Sequence, residues 1–447
     1  MSVRPTILRG GRVIDPDSGH DGVADVVIDR QGRIKEVGLN LAEQADDKWL
    51  VHDVDGKWVL PGLVDIHVHF REPGHEYKET IQTGSESAVA GGFTTVACMA
   101  NTNPVNDTGA VTRFMVDRSM RTGLCRVLPI GALSKGLAGK QLAEISDMVD
   151  EGACAVSDDG HPVMDAHLMR RGLEYSRIFD IPISVHEEDS CLCHHGVMNE
   201  GLVATKLGLP GMPNAGEDVM VARDIELAAL TGGHLHIAHI STRGAVRMVR
   251  EAQARGLRVT AEATPHHFWL TDERVGNYDT DAKMAPPLRS AADRDAVLEG
   301  LADGTICAIA TDHAPHPAQD KDLEFELAAF GIVGLETAWG LTMRRVNEGT
   351  FSLMHAVKLL TSGPSECFRL ETGTLRPGRP ADITVIDPDA TQVVDKAALW
   401  SKSQNTPFGG WDLPTRVHRT LFAGRTVYVW DGDRGRVGAD AARYRVR

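Results

Sequence analysis

Asp65-Ile66-His67-Val68-His69-Phe70-Arg71 sets two imidazoles two residues apart, straight after the apolar run Trp58-Val59-Leu60-Pro61-Gly62-Leu63-Val64. Residues i and i+2 of a β-strand point to one face. The segment 59–68 reads as one buried strand, so His67 and His69 project together at its C-terminal end. An imidazole pair there can hold a metal ion, and Arg71 follows within reach of whatever that ion activates. His-x-His alone equally fits two histidines satisfied by backbone hydrogen bonds, so the rest of the chain has to decide.

The elements that must position these groups are bounded by the whole chain. Its 447 residues, 42% hydrophobic, can bury a large core and leave residues over for a smaller module. A net charge of −15 with no basic block argues against nucleic acid as a partner. A small anionic substrate needs only one or two local cations, and Arg71 is one. No apolar run approaches the roughly eighteen residues of a membrane span, and residues 1–10 lack a signal-peptide core, so the expectation is a cytoplasmic protein without membrane contact. Seven scattered cysteines form no disulfide framework and suit a reducing compartment. Cys191-x-Cys193, followed by His194 and His195, has no second pair at zinc-finger spacing and reads as thiols with surface imidazoles.

Eight apolar, β-rich runs are candidate strands: the one ending at His67, then 94–99, 126–130, 153–156, 183–185, 234–238, 258–262 and 307–310. Most are separated by segments long enough for a helix, such as 218–228. This alternation predicts an α/β fold with a parallel sheet closed as a (β/α)8 barrel, whose chemistry lies past the C-terminal strand ends. Segments 7–15, 24–28 and 33–38 read as short strands with turn signals, and 382–387 and 420–429 repeat the style. The expectation is a small composite β-sandwich from both chain ends (1–57 and 371–447) beside a barrel at 58–370.

Polar residues recur where the strands should end: His67, His69 and Arg71 after the first, Ser157-Asp158-Asp159-Gly160 after the fourth, His186 after the fifth, His239 after the sixth, and Thr311-Asp312-His313-Ala314-Pro315-His316 after the eighth. Any one of these could cap a helix or close a turn. Together on one face, these nitrogen and carboxylate donors are the mixture zinc accepts. His67, His69, His186, His239 and Asp312 with one bridging carboxylate would supply a binuclear centre. Two ions about 3.5–4 Å apart can acidify a shared water and polarise a carbonyl oxygen. Asp312 suits the carboxylate that takes the proton and passes it to a leaving nitrogen.

Asp65-x-His67-x-His69, Arg71-Glu72-Pro73-Gly74, Met99-Ala100-Asn101-Thr102-Asn103-Pro104, Ser157-Asp158-Asp159-Gly160, Thr264-Pro265-His266-His267, the 311–316 segment and Phe330-Gly331-Ile332-Val333-Gly334-Leu335-Glu336-Thr337 resemble dihydroorotases of the longer bacterial type, in the amidohydrolase superfamily. The likeness runs from about residue 6 to about 430. It implies reversible hydrolysis of (S)-dihydroorotate to N-carbamoyl-L-aspartate in pyrimidine synthesis, with zinc, two ions per subunit. By position, His67 and His69 would hold one ion, His186 and His239 the other. Asp159 would be the bridge, and Asp312 a ligand and general base. Arg71, Asn101 and His316 carry over to the substrate, Arg71 to its carboxylate. The Phe330-Gly331 backbone would close over the ring. A homodimer is usual for the family, and aspartate transcarbamoylase is a possible associate.

The chain departs from its relatives twice. Many bridge their metals with a carboxylated lysine, but none occurs between Lys140 and Lys206, which leaves Asp159, with Asp158 as the rival. The family's usual asparagine is replaced by Ala285 in Lys283-Met284-Ala285-Pro286-Pro287-Leu288-Arg289, which removes a side-chain hydrogen bond to the ring. Dihydropyrimidinase- or allantoinase-like hydrolysis is one alternative, disfavoured by Arg71 because those rings lack a carboxylate. A non-catalytic partner of aspartate transcarbamoylase is the other, and it would require gaps in the ligand set. The charged segment 317–329 reads as a solvated loop or an active-site lid.

Overall fold

All eight apolar runs become strands. In the computed structural model, which describes residues 3–438, they are β1 (Leu63–Val68), β2 (Phe93–Cys98), β3 (Arg126–Gly131), β4 (Ala155–Val156), β5 (Ile183–Val185), β6 (Leu235–Ile237), β7 (Val259–Ala263) and β8 (Ala308–Ile309). They pair in chain order within one parallel sheet. A parallel bridge from Val68 to His313 brings the two edges together, and His313 O accepts from His69 N at 2.9 Å. Every residue of β1 and β2 is buried, as expected for strands covered on both faces.

The covering helices follow each strand in turn, among them Ile81–Ala90, Gly109–Thr122, Ala166–Phe179, Asn214–Thr231, Arg243–Ala254 and Ala291–Asp303. Their starts are set locally: Thr80, Asp165, Thr242 and Ser290 each accept a backbone N–H of the first turn. The barrel floor is filled from below by helix Ser362–Phe368. Small interior residues Ala97, Ala155, Ala308 and Ala310 leave room for Phe368, whose ring meets His236 edge-on at 5.2 Å.

The run 59–68, expected as one strand, is two. Trp58–Pro61 lies in a second sheet, and the barrel strand begins only at Leu63. The break falls at Gly62, whose N–H donates to Asp382 O at 2.8 Å and where a Cβ would strike the Thr94 side chain. The second sheet has nine strands from both chain ends, and Trp58–Pro61 pairs antiparallel with Ile383–Val393 and parallel with Thr6–Asp15. Its apolar face gathers Leu8, Val26, Ile28, Val59, Ile383, Val385 and Leu421. Among the described residues no helix is long and apolar enough to cross a membrane.

Candidate active site

Six polar side chains converge at or just past the strand ends, each at most 7% exposed: His67, His69, Asp159, His186, His239 and Asp312. Asp159 reaches all four imidazoles, with carboxylate oxygens 3.5 Å from His67 Nε2, 3.5 Å from His69 Nε2, 3.7 Å from His186 Nδ1 and 3.3 Å from His239 Nε2. Asp312 Oδ1 stands 2.9 Å from His69 Nε2 and 3.5 Å from His67 Nε2. His186 Nδ1 is 3.0 Å from His239 Nε2. The neighbouring Asp158 turns away, accepting from Ser134 N at 2.9 Å and from the Ser134 hydroxyl. Of the two adjacent carboxylates, only Asp159 meets the histidines.

The backbone that aims these groups is strained. Arg71 (φ 62°), His239 (φ 34°) and Asp312 (φ 46°) are all left-handed, a conformation costing about 1–3 kcal/mol each for non-glycine residues and held only by firm surroundings. Asp65 supplies part of that hold. It accepts from His67 N at 3.0 Å and from Thr311 Oγ1 at 2.6 Å, lacing β1 to the segment that carries Asp312. Burial pushes the Asp65 carboxyl up to about 7.

Outer partners fix which nitrogen three of the four rings present. His67 Nδ1 donates to Glu262 Oε1 at 2.7 Å, and Glu262 Oε2 also accepts from His236 Nε2 at 3.2 Å. His69 Nδ1 donates to Asn101 Oδ1 at 2.9 Å. His186 Nε2 faces Glu188 Oε2 at 3.5 Å. In each case the other nitrogen turns its lone pair to the cluster, the arrangement metal-ligating histidines adopt. Burial alone would raise Glu262, but donors from His236 and His67 hold it down to about 2. Burial likewise opposes ionisation of Asp159, yet the facing imidazoles, His67 foremost, keep it well below the usual carboxylate range.

The donor set fits divalent metal. His67 Nε2 is buried without a hydrogen-bond partner, and two triads, His67-Asp159-His239 and His67-His69-Asp312, each bring ligand atoms within 4.8 Å of one another. Nitrogen and carboxylate donors at that spacing are what zinc and similar ions take.

Beside this cluster lies a cationic, loop-built wall. Arg71 Nη2 stands 3.3 Å from His316 Nε2, and the His316 backbone N–H donates to Asn405 Oδ1 at 3.0 Å. Gly331 (φ 148°) packs on the same ring: a Cβ there would sit 2.8 Å from His316 Cδ2 and 2.6 Å from Ala314 O. Its polar backbone is committed, the N–H to Lys283 O at 3.0 Å, the carbonyl to Asn405 Nδ2 at 2.9 Å and Lys321 Nζ at 3.1 Å. Phe330 lies under the Lys283 ammonium, 4.4 Å from ring centre to Nζ.

Comparison with known proteins places this geometry. Residues 56–245 match a dihydro-orotase-like family model and 220–428 match an amidohydrolase family model. A dihydroorotase of Anaeromyxobacter sp. (strain K) is 54% identical over 94% of this chain and 97% of its own length. One of Syntrophotalea carbinolica is 52% identical over 94% and 98%. The chain belongs to the dihydroorotase family. Solved structures share the fold at lower identity: L-hydantoinase (dihydropyrimidinase) of Arthrobacter aurescens superposes with TM-score 0.85 at 24% identity, covering 95% of this chain and 96% of that one.

As a dihydroorotase-family member the chain brings together every residue its sequence singled out on the metal side. Asn101, expected at the substrate, lies against His69 through its side-chain oxygen. Ala285 is half-buried in the loop that follows Lys283. The segment 317–329 is not a free solvated loop: Lys321, Phe325 and Ala328 are buried. Lys283 Nζ donates to the carbonyls of Phe325, Glu326 and Ala328 at 2.7, 3.0 and 2.7 Å. Glu262, Lys283, Lys321 and Asn405 went unnoticed as site-builders in the sequence. A glutamate closing an otherwise apolar strand was the one available signal. Cys191 is exposed and Cys193 buried, both free thiols.

Proposed function

We propose that this cyclic-amide hydrolase of the dihydroorotase family acts reversibly on (S)-dihydroorotate, giving N-carbamoyl-L-aspartate for pyrimidine synthesis. The observation that carries the reading is the juxtaposition of a carboxylate–imidazole cluster with the half-buried Arg71 and the buried His316. A substrate with a hydrolysable ring amide and its own carboxylate meets both.

His67, His69, His186 and His239, with Asp159 between them and Asp312 at one side, would hold two zinc ions. Bound there, such ions would acidify water and polarise the amide carbonyl. Asp312 takes the proton from the attacking water and returns it to the departing ring nitrogen, and the reverse transfer serves ring closure. Glu262 keeps His67 oriented. Arg71 and His316 grip the substrate carboxylate, and Asn101, anchored through its oxygen on His69, has its amide hydrogens left for the substrate. Phe330-Gly331 closes over the ring by packing, since the Gly331 polar groups are engaged elsewhere. The barrel, from Leu63 to about residue 370, does this work in the cytoplasm, in a homodimer able to associate with aspartate transcarbamoylase.

Metal analysis joined to an ultraviolet assay on dihydroorotate, dihydrouracil and allantoin tests the reading. Turnover of dihydroorotate, with about two zinc per chain, is expected; preference for either neutral ring would sink it.

A further inference from the structure

Lys78 and Asp320 have no part in the mechanism above, yet both reach the ring of His316. Lys78 Nζ lies 3.1 Å from His316 Nδ1 and 2.8 Å from Asp320 Oδ2. The third side of the triangle, His316 Nδ1 to Asp320 Oδ2, is 3.5 Å. The group is secluded, with side-chain exposures of 16% for Lys78, 23% for Asp320 and 10% for His316. Lys78 and Arg71 both have only hydrogens to give, and a neutral ring accepts at one nitrogen alone; Lys78 stands nearer, 3.1 Å against 3.3 Å, and is held by Asp320, which assigns the lone pair to Nδ1. Burial, with Arg71, Lys78 and Lys321 nearby, keeps the ring neutral by pushing it down to about 2. A neutral ring that accepts at Nδ1 carries its hydrogen on Nε2.

That hydrogen points towards another donor. Arg71 Nη2 sits 3.3 Å from His316 Nε2, and a guanidinium cannot accept. Arg71 Nε is also buried without a partner. Two donors facing one another with no acceptor between them are poised for an anionic oxygen lodged on both. Without the ammonium, Asp320 would be the nearest group to Nδ1 and would draw the hydrogen there. Nε2 would then turn a lone pair on the incoming anion.

We propose that Lys78, steadied by Asp320, is a positioning residue that fixes His316 as the Nε2–H tautomer, so that His316 and Arg71 bind one carboxylate jointly. Only the identity of that carboxylate rests on the dihydroorotate reading. The assignment makes Asp320 a liability once Lys78 is gone, which a purely structural salt bridge would not predict.

The test uses the full-length, zinc-loaded protein. Lys78→Met should raise KM for dihydroorotate between about tenfold and a hundredfold, the worth of one charge-assisted hydrogen bond, with kcat changed far less. Lys78→Arg should restore most of the loss, and adding Asp320→Asn to Lys78→Met should recover part of it. Independently of any variant at Lys78, nitrogen-15 spectra of histidine-labelled protein, with His316 assigned by its loss in His316→Gln, should give an unprotonated Nδ1 and a protonated Nε2. A protonated Nδ1 in the unaltered protein, or an unchanged KM in Lys78→Met, would overturn the proposal. If the unaltered protein fails to turn over dihydroorotate, the substrate reading falls, and the ring-nitrogen spectrum alone then decides the tautomer.

Discussion

Five barrel strands set the imidazole and carboxylate side of the mouth, whereas the adjoining side, with Arg71, His316 and Gly331, depends on loops. On the first side the spacing of two residues along β1 and the ends of β4, β5, β6 and β8 deliver the imidazoles and carboxylates, trimmed by Asp65 and Glu262. On the second, position comes from buried cations and an amide: Lys283 and Lys321 gather carbonyls of 325–331, and Asn405 holds both His316 and Gly331. Strand ends are rigid and repetitive; loops need tertiary hooks. The difference predicts that damage to the first side removes chemistry, while damage to the second loosens substrate binding.

The largest effect should come from Asp312→Asn, lowering kcat by about 10²–10⁴ through loss of proton transfer while the circular dichroism spectrum stays unchanged. Near-normal turnover would remove Asp312 from the proton path. Chelation should abolish activity, zinc should restore it, and the melting temperature should fall as metal is withdrawn, by linkage worth about 2.7 kcal/mol when the metal had stood at a hundred times its Kd. Glu262→Gln should weaken metal affinity about 10–100-fold, read by competition with a chromophoric chelator. On the loop side, Lys283→Met should cost about 1.5–3 kcal/mol of stability and speed amide exchange at 325–331, with KM affected more than kcat. Smallest is Ala285→Asn, expected to lower KM for dihydroorotate by up to about tenfold or leave it unchanged. A large rise would mean that this loop is arranged differently from the family's.

The same contrast explains what could be read from the chain. All eight barrel strands were legible, because a buried parallel strand is a near-continuous apolar run and the helical spacers between such runs are long. His67, His69, His186, His239 and Asp312 were legible because each follows such a run directly. Asp159 could be told from Asp158 only by likeness to relatives, since a one-residue choice at a two-residue strand depends on which carboxylate Ser134 captures. The split of 59–68 at Gly62 escaped notice because nothing local reveals a strand of another sheet. Nothing local in the sequence marks Lys283 or Lys321 as buried. Their burial depends on carbonyls that are close in space but distant along the chain.

The outer sheet has a bearing on how the molecule is made. Pro61 pairs with Ile383, and Trp58 with Ile386, so a strand emerging early from the ribosome waits for its neighbour until nearly the whole barrel has been translated. At synthesis rates of about 5–20 residues per second, that delay is on the order of 15–65 s. During it the edge of Trp58–Pro61 lies open to other chains, a hazard for unpaired strands. Completion of the sheet therefore marks the end of biogenesis, and a truncation that removes 383–393 would leave a nascent product prone to clumping even with every barrel strand present.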